Sequence, residues 1–337
     1  VPVGLLALAM ALLFVPESRD EGAVRGIDWG GLALLSAALL LISYGLTEAN
    51  DVGWRSPAIL GSLVGGALLL PAFVALERRL AAPLIDLSLF RSGTFVMACL
   101  AAFLFNAAVF GGQPYTSLFM QNGWGFTPLQ AGFAFLPSTA IVALLTPFSG
   151  MLAQRLGGRL RLVTIAGALL VLASALLLLR LDVQSGFADS FLPAFVIRGA
   201  GVGLFIAATS LAVMSAAPVA KSGLASGTLT MARQIGTSLG VALLGGVYLH
   251  SVDGATPAGG VRGAAEHFVA AGTGATQAAA QQAIVDGFVR ICFAVALLSA
   301  AAALAALFIH HRPAAAPVHG EDVQPVPALQ QLAAAVE

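Results

Sequence analysis

Residues 34–42 read Leu-Leu-Ser-Ala-Ala-Leu-Leu-Leu-Ile and lie inside an apolar run that extends from residue 29 to residue 47. A run of this length is close to what a helix needs to cross the hydrocarbon core of a bilayer. In lipid every backbone N–H and C=O group must be paired, so a spanning segment is either a helix or a strand of a closed barrel. Barrel strands alternate apolar and polar side chains, and this stretch does not. It therefore predicts a membrane-spanning helix.

The composition of the whole chain also fits a lipid environment. Hydrophobic residues make up 58% of the 337 residues and charged residues only 9%. A soluble domain carries about 25% charged residues, so these are too few to cover a water-facing surface. The formal net charge is zero, which argues against a nucleic-acid partner. Cys99 and Cys292 each lie in an apolar run, which favours small buried side chains over a disulfide or a metal site.

Nine apolar segments follow one another, and eight of them are long enough to span a membrane. They are roughly 1–15, 29–47, 58–76, 94–119, 131–153, 162–180, 191–216, 223–249 and 287–309. The first has neither the basic start nor the cleavage site of a signal peptide. We expect it to be a helix that has been cut, so that the chain is a fragment. The predicted fold is an all-α membrane bundle of about nine transmembrane segments.

Basic residues fall mainly on alternate connections between these segments. The first set of connections carries Arg19, Arg25, Arg78, Arg79, Arg91, Arg155, Arg159, Arg161, Lys221 and Arg312, and the second carries Arg55, Arg180, Arg262 and Arg290. Since cytoplasmic loops are enriched in Lys and Arg, the first set and the C-terminus are predicted to be cytoplasmic. Residues 84–90 of the first set predict an amphipathic interfacial helix. The Pro/Ala-rich tail over 311–337 is predicted to be disordered.

Glycines spaced four apart recur along the chain and would let helices pack closely in lipid. The pairs are Gly26/Gly30, Gly61/Gly65, Gly199/Gly203, Gly223/Gly227 and Gly236/Gly240. The last two pairs share one segment but face nearly opposite ways around a helix. That helix is predicted to be pinched between two neighbours. Sliding helices and simple tight packing both fit the pattern.

Ionisable residues inside the segments are few and are therefore candidates for function. Arg198 lies about two turns inside its segment, and Arg233 about two and a half turns inside the next. Each is predicted to meet an anionic group or a carboxylate, or to extend to the headgroups. The acids Asp28, Glu48 and Asp286 lie only at segment ends. A coupling carboxylate would be one of these or would lie outside the chain.

The segment 94–119 is the most polar in its middle. Gly111-Gly112-Gln113-Pro114 predicts a helix break, which is tolerated where a cavity is lined. Asn106 and Gln113 are seven residues apart and share one face. The candidates for lining a substrate cavity are Asn106, Gln113, Tyr115, Phe110, Arg198 and Arg233. Interhelical hydrogen bonding is the alternative for the polar side chains. Phe103, Phe105, Phe110 and Phe119 have two interpretations: an apolar, adaptable wall for bulky ligands, or lipid contact.

Several short motifs, taken in order over about 1–310, resemble the 14-helix drug:proton antiporter branch of the major facilitator superfamily. They are Val1–Gly4 with Phe14–Glu17 (sixth helix of the family), Asp28–Gly31 (seventh), Glu77–Arg79 with Pro83–Arg91 (linker before the ninth), Thr127–Gly132 with Leu136–Pro137 (entry to the tenth), Arg198–Gly203 (twelfth), and Gly223–Gly227 with Arg233–Gly236 (thirteenth).

The stretch from Gly150 to Arg159 resembles the cytoplasmic loop motif of the superfamily in its second-half copy. Gly150, Arg155, Gly157 and Arg159 are the matching positions. Gln154 stands where the family often has Asp, which argues against a charge relay there. The arginines then have two interpretations: gating contacts that form when the cavity closes, or plain cytoplasmic charge.

The resemblance implies two extra central helices over 29–76, a cytoplasmic linker over 77–93 and a C-terminal six-helix bundle over 94–310, made of two inverted three-helix repeats. The family's first five helices would be absent. It implies proton-coupled efflux of drugs or other amphipathic small molecules across the cytoplasmic (inner) membrane, without a cofactor and with the proton gradient as energy source. The implied partners are the bilayer, protons and the substrate, and the family allows a periplasmic adaptor.

Other functions remain open at this point. Exporters of a specific metabolite, a siderophore or a lipid share the same framework. A non-transporting scaffold or a truncated product is a further alternative. A membrane enzyme is disfavoured, because it would need acids or histidines clustered at one membrane face, and the five histidines lie outside the segments or at their ends.

Overall fold

The computed structural model describes residues 28–79, 87–155, 159–182, 185–218, 221–252 and 275–309, with residues 4, 5 and 10. These residues form helices joined by short turns and connections, and they include no strand. The α-helices are α1 (Trp29–Val52), α2 (Pro57–Glu77), α3 (Gly93–Val109), α4 (Gln113–Trp124), α5 (Pro128–Ala134), α6 (Leu136–Arg155), α7 (Leu160–Leu178), α8 (Leu192–Ala216), α9 (Ser222–Val252) and α10 (Ala275–Leu307). A 3₁₀ turn at Leu87–Arg91 precedes α3, and a π turn at Phe187–Phe191 leads into α8.

The described residues contain 7 stretches long and apolar enough to cross a membrane. Helices α3 and α4 form one such stretch, and α5 and α6 form another. The prediction of an all-helical membrane bundle is confirmed. The segment predicted at 223–249 is helical as α9, but its glycines, hydroxyl residues and Arg233–Gln234 make it less apolar than the seven. The segment 1–15 lies outside the described residues except at positions 4, 5 and 10.

Local sequence signals explain where the helices begin. Asp28 caps α1, because its Oδ1 accepts a hydrogen bond of 2.8 Å from the N–H of Gly31. Thr127 and Gln130 form a reciprocal capping box at the start of α5. Pro57 and Pro128 are the first residues of α2 and α5, where a missing N–H costs nothing. These signals fix helix ends without reference to lipid.

Helices α3 to α10 pack into one bundle with a regular pattern of neighbours. Helix α8 packs against α7 and α6, whereas α3 packs against α10 and α9. Helices α7 and α10 contact each other, and so do α3 and α8. Exchanging α3 with α8, α6 with α9 and α7 with α10 maps these contacts onto themselves. Such a pattern is expected of two three-helix units related by a pseudo-twofold axis.

Aromatic side chains fill the centre of the bundle. Phe105 of α3 stacks on Phe205 of α8, with ring centroids 3.7 Å apart and planes 4° from parallel. Phe119 of α4 stacks on Phe288 of α10 at 4.4 Å. Phe105 is 0% exposed and Phe119 is 2% exposed. The sequence interpretation of these two rings as cavity wall or lipid contact is therefore wrong, because both lie in the core between helices.

Helices α1 and α2 form a hairpin beside this bundle. Close approach of the pair occurs at Gly45, which faces Ser62 and Leu63, and at Gly66, which faces Ala38 and Ile42. A Cβ on Gly66 would lie 3.0 Å from the carbonyl oxygen of Ala38, so a larger residue would push the helices apart. Helix α1 also packs against α9, which connects the hairpin to the bundle.

The glycine pairs of α9 behave differently from each other. A Cβ on Gly236 would lie 2.3 Å from the carbonyl oxygen of Phe103 in α3, and one on Gly240 would lie 2.3 Å from that of Ala107. Apart from the backbone of α9 itself, no described atom lies within 4 Å of a Cβ on Gly223 or Gly227. Helix α9 is thus pressed against α3 at Gly236 and Gly240, whereas no close contact is seen among the described residues at Gly223 or Gly227. Gly199 of α8 makes a similarly close contact with α6, where a Cβ would lie 2.5 Å from the carbonyl oxygen of Ser138, and Gly203 makes a looser one, at 3.2 Å from that of Val142.

The interfacial helix predicted over 84–90 is only partly within the described residues. Residues 84–86 lie outside them, and Leu87–Arg91 forms a 3₁₀ turn instead of an α-helix. Leu89 is 3% exposed and joins the core, whereas Phe90 is 44% exposed. Of the two apolar side chains of this turn that the structure describes, one is therefore buried and one is open.

Candidate functional site

The predicted break in segment 94–119 is present. Helix α3 ends at Val109 and α4 begins at Gln113, and Pro114 has no N–H to continue the ladder. The N–H groups of Phe110 and Gly111 both donate to the carbonyl of Asn106, at 3.0 and 3.2 Å. Gly111 is needed here, because a Cβ would lie 2.6 Å from the backbone of Gly240.

Arg198 reaches this break from α8. Its Nη2 donates a 2.7 Å hydrogen bond to the carbonyl oxygen of Val109, the last residue of α3. Its guanidinium carbon lies 5.9 Å from the ring centroid of Phe195, within the range of a cation–π contact. An arginine carries five N–H donors. The hydrogen bond to Val109 is the one that Arg198 makes with the described residues, so most of its donors are left for other groups.

A cavity of about 190 Å³ lies between the break, α6 and α8. Its polar side chains are Gln113, Ser138, Thr139 and Arg198. Its other lining residues are apolar: Val109, Phe110, Phe135, Val142, Val202 and Ile206. Three of the predicted candidates, Phe110, Gln113 and Arg198, thus meet in one place. We call this space the Arg198 cavity.

A smaller cavity of about 30 Å³ also touches Arg198 and is lined by residues of α3, α7 and α10. Thr116, Ser174 and Cys292 are among its lining residues. This volume is large enough for a water molecule. Arg198 and Val109 therefore line both cavities.

The other three candidates lie elsewhere, and two of them, Tyr115 and Arg233, form hydrogen bonds between helices. Tyr115 is 6% exposed, and its hydroxyl donates a 2.6 Å hydrogen bond to the carbonyl of Val241 in α9. Asn106 is 5% exposed and donates to the carbonyl of Ala102 in its own helix at 2.8 Å. Arg233 of α9 donates to the carbonyl oxygen of Ile206 at 3.1 Å and to Ser210 Oγ at 2.9 Å, both in α8. None of the three lines the Arg198 cavity.

The residues of the cytoplasmic loop motif lie where α6 meets α7. Gly150 is half-buried within α6, and Arg155 is the exposed last residue of that helix. Arg159 is exposed directly before α7. Gly157 and the side chain of Gln154 lie outside what the structure describes. Both described arginines are therefore free of the core and near a helix end.

Sequence reasoning missed two features, one in the site and one at the end of α2. Ser138 and Thr139 line the Arg198 cavity, and the signal was a polar pair after Leu136–Pro137 in an apolar run. Glu77, taken from the sequence as part of the linker, is the last residue of α2 and only 3% exposed. A Cβ on Gly31 would lie 2.0 Å from Asp28 Oδ2 and 3.2 Å from Glu77 Oε1, so two carboxylates approach this glycine.

Fold and cavity together define a polytopic helical membrane protein with a broken helix and a polar group inside the bundle. The sequence profile of the Major Facilitator Superfamily matches residues 2–241. The chain belongs to this superfamily.

Three bacterial proteins named for drug or antibiotic resistance are similar to the chain over most of its length. It is 33% identical over 247 residues to the multidrug resistance protein Stp of Mycobacterium tuberculosis, with 73% of this chain and 45% of that protein covered. It is 34% identical over 245 residues to the tetracenomycin C resistance and export protein of Streptomyces glaucescens, with 73% and 45% covered. It is 34% identical over 325 residues to the puromycin resistance protein pur8 of Streptomyces alboniger, with 94% and 60% covered. The chain thus spans about half the length of these relatives.

Proposed function

We propose that the protein acts in the export of amphipathic small molecules across the cytoplasmic membrane, as part of a secondary active transporter driven by the proton gradient. The observation that carries this proposal is the Arg198 cavity. It combines one cation, one amide and two hydroxyl groups with apolar walls at a helix break. Small-molecule sites in proteins have this composition of a mostly apolar lining and a few placed polar groups.

The relatives support export as the direction of transport. Their names describe multidrug resistance, tetracenomycin C resistance and export, and puromycin resistance. Resistance to compounds of different chemistry fits a cavity that binds through apolar surface and a few polar contacts. It does not require catalysis, and we propose no enzymatic step.

The arrangement of helices supports alternating access. We propose that 94–310 forms the C-terminal bundle, that α1 and α2 are two extra central helices, and that a second bundle faces the Arg198 cavity. Helices α5 and α6 form the least covered of the seven spanning stretches, and Leu144 and Phe148 of α6 are 63% and 56% exposed. Rocking of one bundle against the other would open the cavity to either side in turn.

The orientation of the chain follows from its charges in this proposal. The connection between α6 and α7, with Arg155 and Arg159, would face the cytoplasm, as would the C-terminus. The two arginines would form contacts with helix ends or carboxylates when the cavity is closed on the cytoplasmic side. Their exposure at the end of α6 and the start of α7 leaves them available for such contacts.

A compound panel tests the proposal. The protein is produced in an efflux-deficient bacterial host, and growth inhibition by amphipathic drugs is measured against the empty vector. Accumulation of the same compounds is then followed in everted membrane vesicles, with the proton gradient intact or collapsed by a protonophore. The proposal expects higher tolerance in cells, and uptake into everted vesicles that stops when the gradient is lost.

Two controls make this experiment specific. Gly223→Ala adds a methyl group to α9 where no described neighbour lies within 4 Å of it, so this variant should transport like the original protein at equal membrane abundance. Uptake that continues after collapse of the gradient would contradict proton coupling. Absence of any added tolerance and of any gradient-dependent uptake, with the protein present in the membrane, would contradict export.

A further inference from the structure

We infer that the Arg198 cavity selects amphipathic molecules that carry an anionic group, and that Arg198 is the counter-ion for that group. This inference rests on the proposed function and adds the charge of the substrate to it. Its basis is the charge of the cavity, the hydrogen bonding of Arg198 and the depth of Arg198 in its helix.

The charge of the cavity lining is one-sided. Arg198 is the one cationic side chain among the described lining residues, and these residues include no acid. A cationic ligand would therefore meet a like charge without any described carboxylate to offset it. An anionic ligand would meet an opposite charge in surroundings of low dielectric constant, where charge pairs are stronger than in water.

The hydrogen bonding of Arg198 leaves capacity for a ligand. Among the described residues it gives one hydrogen bond, to Val109, and one cation–π contact, to Phe195. A guanidinium presents its donors as a planar fork that matches a carboxylate, a phosphate or an acidic phenol. Gln113, Ser138 and Thr139 line the same space and provide further neutral hydrogen-bonding groups.

The position of Arg198 in α8 is too deep to be explained only by a role in setting the orientation of the chain in the membrane. It is the seventh residue of a helix that runs from Leu192 to Ala216, so it lies about 9 Å inside the helix start. A cation at such depth is costly in a membrane unless it is paired or faces a water-filled or ligand-filled cavity. Val109 provides one neutral acceptor, and an anionic ligand would provide the missing opposite charge.

The remaining walls indicate the rest of the ligand. Phe110 and Phe135 are half-buried aromatic residues of the lining, and three of the other apolar residues are valines. A flat aromatic or polycyclic body fits between such side chains through apolar and ring contacts. The favoured substrate class is therefore an aromatic or polycyclic acid.

The test uses two fluorescent probes with one ring skeleton and opposite charge. These are fluorescein methyl ester, an anion at neutral pH, and rhodamine methyl ester, a cation. Binding to the purified protein in detergent is measured by fluorescence anisotropy, and transport is measured in everted vesicles. We expect the anion to bind about tenfold or more tightly than the cation, as a charge-assisted hydrogen bond would give.

Three variants separate a charge effect from a structural one. Arg198→Gln keeps a donor for the Val109 carbonyl but removes the charge, and it should abolish the preference for the anion. Arg198→Lys keeps the charge and should retain part of the preference. Arg233→Gln makes the same substitution at an arginine outside the cavity, so any loss of binding should fall equally on both probes.

The outcomes distinguish this inference from the proposed function. Equal binding of the two esters, tighter binding of the cation, or binding of neither would overturn the inference, whatever the transport result. An Arg198→Gln protein that keeps the full anion preference would also overturn it. Anion-selective binding without transport would leave the inference standing and contradict the export function.

Discussion

The contact between α9 and α3 gives the most quantitative prediction. Gly236 and Gly240 lie one helical turn apart and face the carbonyl oxygens of Phe103 and Ala107. Replacing either glycine with alanine adds one methyl group, which would lie 2.3 Å from a backbone oxygen. A backbone atom cannot rotate away as a side chain can. The two helices must therefore separate where they now touch.

The size of the effect follows from these distances. Ordinary van der Waals contact begins at 3.4 Å, so the gap must open by about 1.1 Å at each site. A gap of this size forfeits a quarter to a half of the dispersion energy of the separated atoms. Overpacking of this kind costs about 1–3 kcal/mol for each substitution. The double variant should cost less than twice that, because one separation accommodates both methyl groups.

Unfolding of the purified protein by SDS in mixed micelles measures these differences. The matched controls are Gly223→Ala and Gly227→Ala, which make the same change in the same helix where no described atom is close. Alanine favours a helix over glycine by about 1 kcal/mol, so the controls should be unchanged or slightly more stable. Equal stability of all four single variants would refute the reasoning that α9 is held to α3 by glycine contacts.

Three further predictions concern single side chains. Tyr115→Phe removes the donor to the Val241 carbonyl and should lower the free energy of unfolding by about 0.5–1.5 kcal/mol in the same SDS titration. A variant that is as stable as the original protein, or more stable, would contradict that bond. Phe105→Ala removes the ring stacked on Phe205 and should cost about 3–5 kcal/mol, and a loss below 1 kcal/mol would mean that this ring lies in lipid. Arg155→Ala should slow vesicle transport while immunoblots show unchanged protein in the membrane, and normal transport would reduce this arginine to a topological signal.

Local chemistry explains why some features were predictable from the sequence. The break between α3 and α4 follows from Gly111-Gly112-Gln113-Pro114, since proline cannot donate and glycine tolerates close approach. The helices themselves follow from apolar length, because unpaired backbone groups are excluded from lipid. Neither deduction needs any knowledge of which residues are neighbours in space.

The side on which a residue lies was harder to predict, again for physical reasons. In a soluble helix the polar face marks the outside, but lipid is as apolar as a protein core, so Phe105 and Phe119 carry no sequence mark of their burial. Asn106 was predicted to line a cavity or to bond between helices. Its amide donates to the carbonyl of Ala102 one turn earlier in the same helix, an acceptor that is within reach of such a side chain in any helix. The burial of Glu77 depends on packing near Gly31, which is 46 positions away in the chain.

The attachment of the α1–α2 hairpin has a mechanical consequence. Its packing onto the bundle is through α9, and α9 is itself in backbone contact with α3 at Gly236 and Gly240. A displacement of the hairpin is thus passed through α9 to α3, the helix that ends at the break. The hairpin and the break would therefore move together if the bundle moves, and lipid pressure on the hairpin would also displace the break.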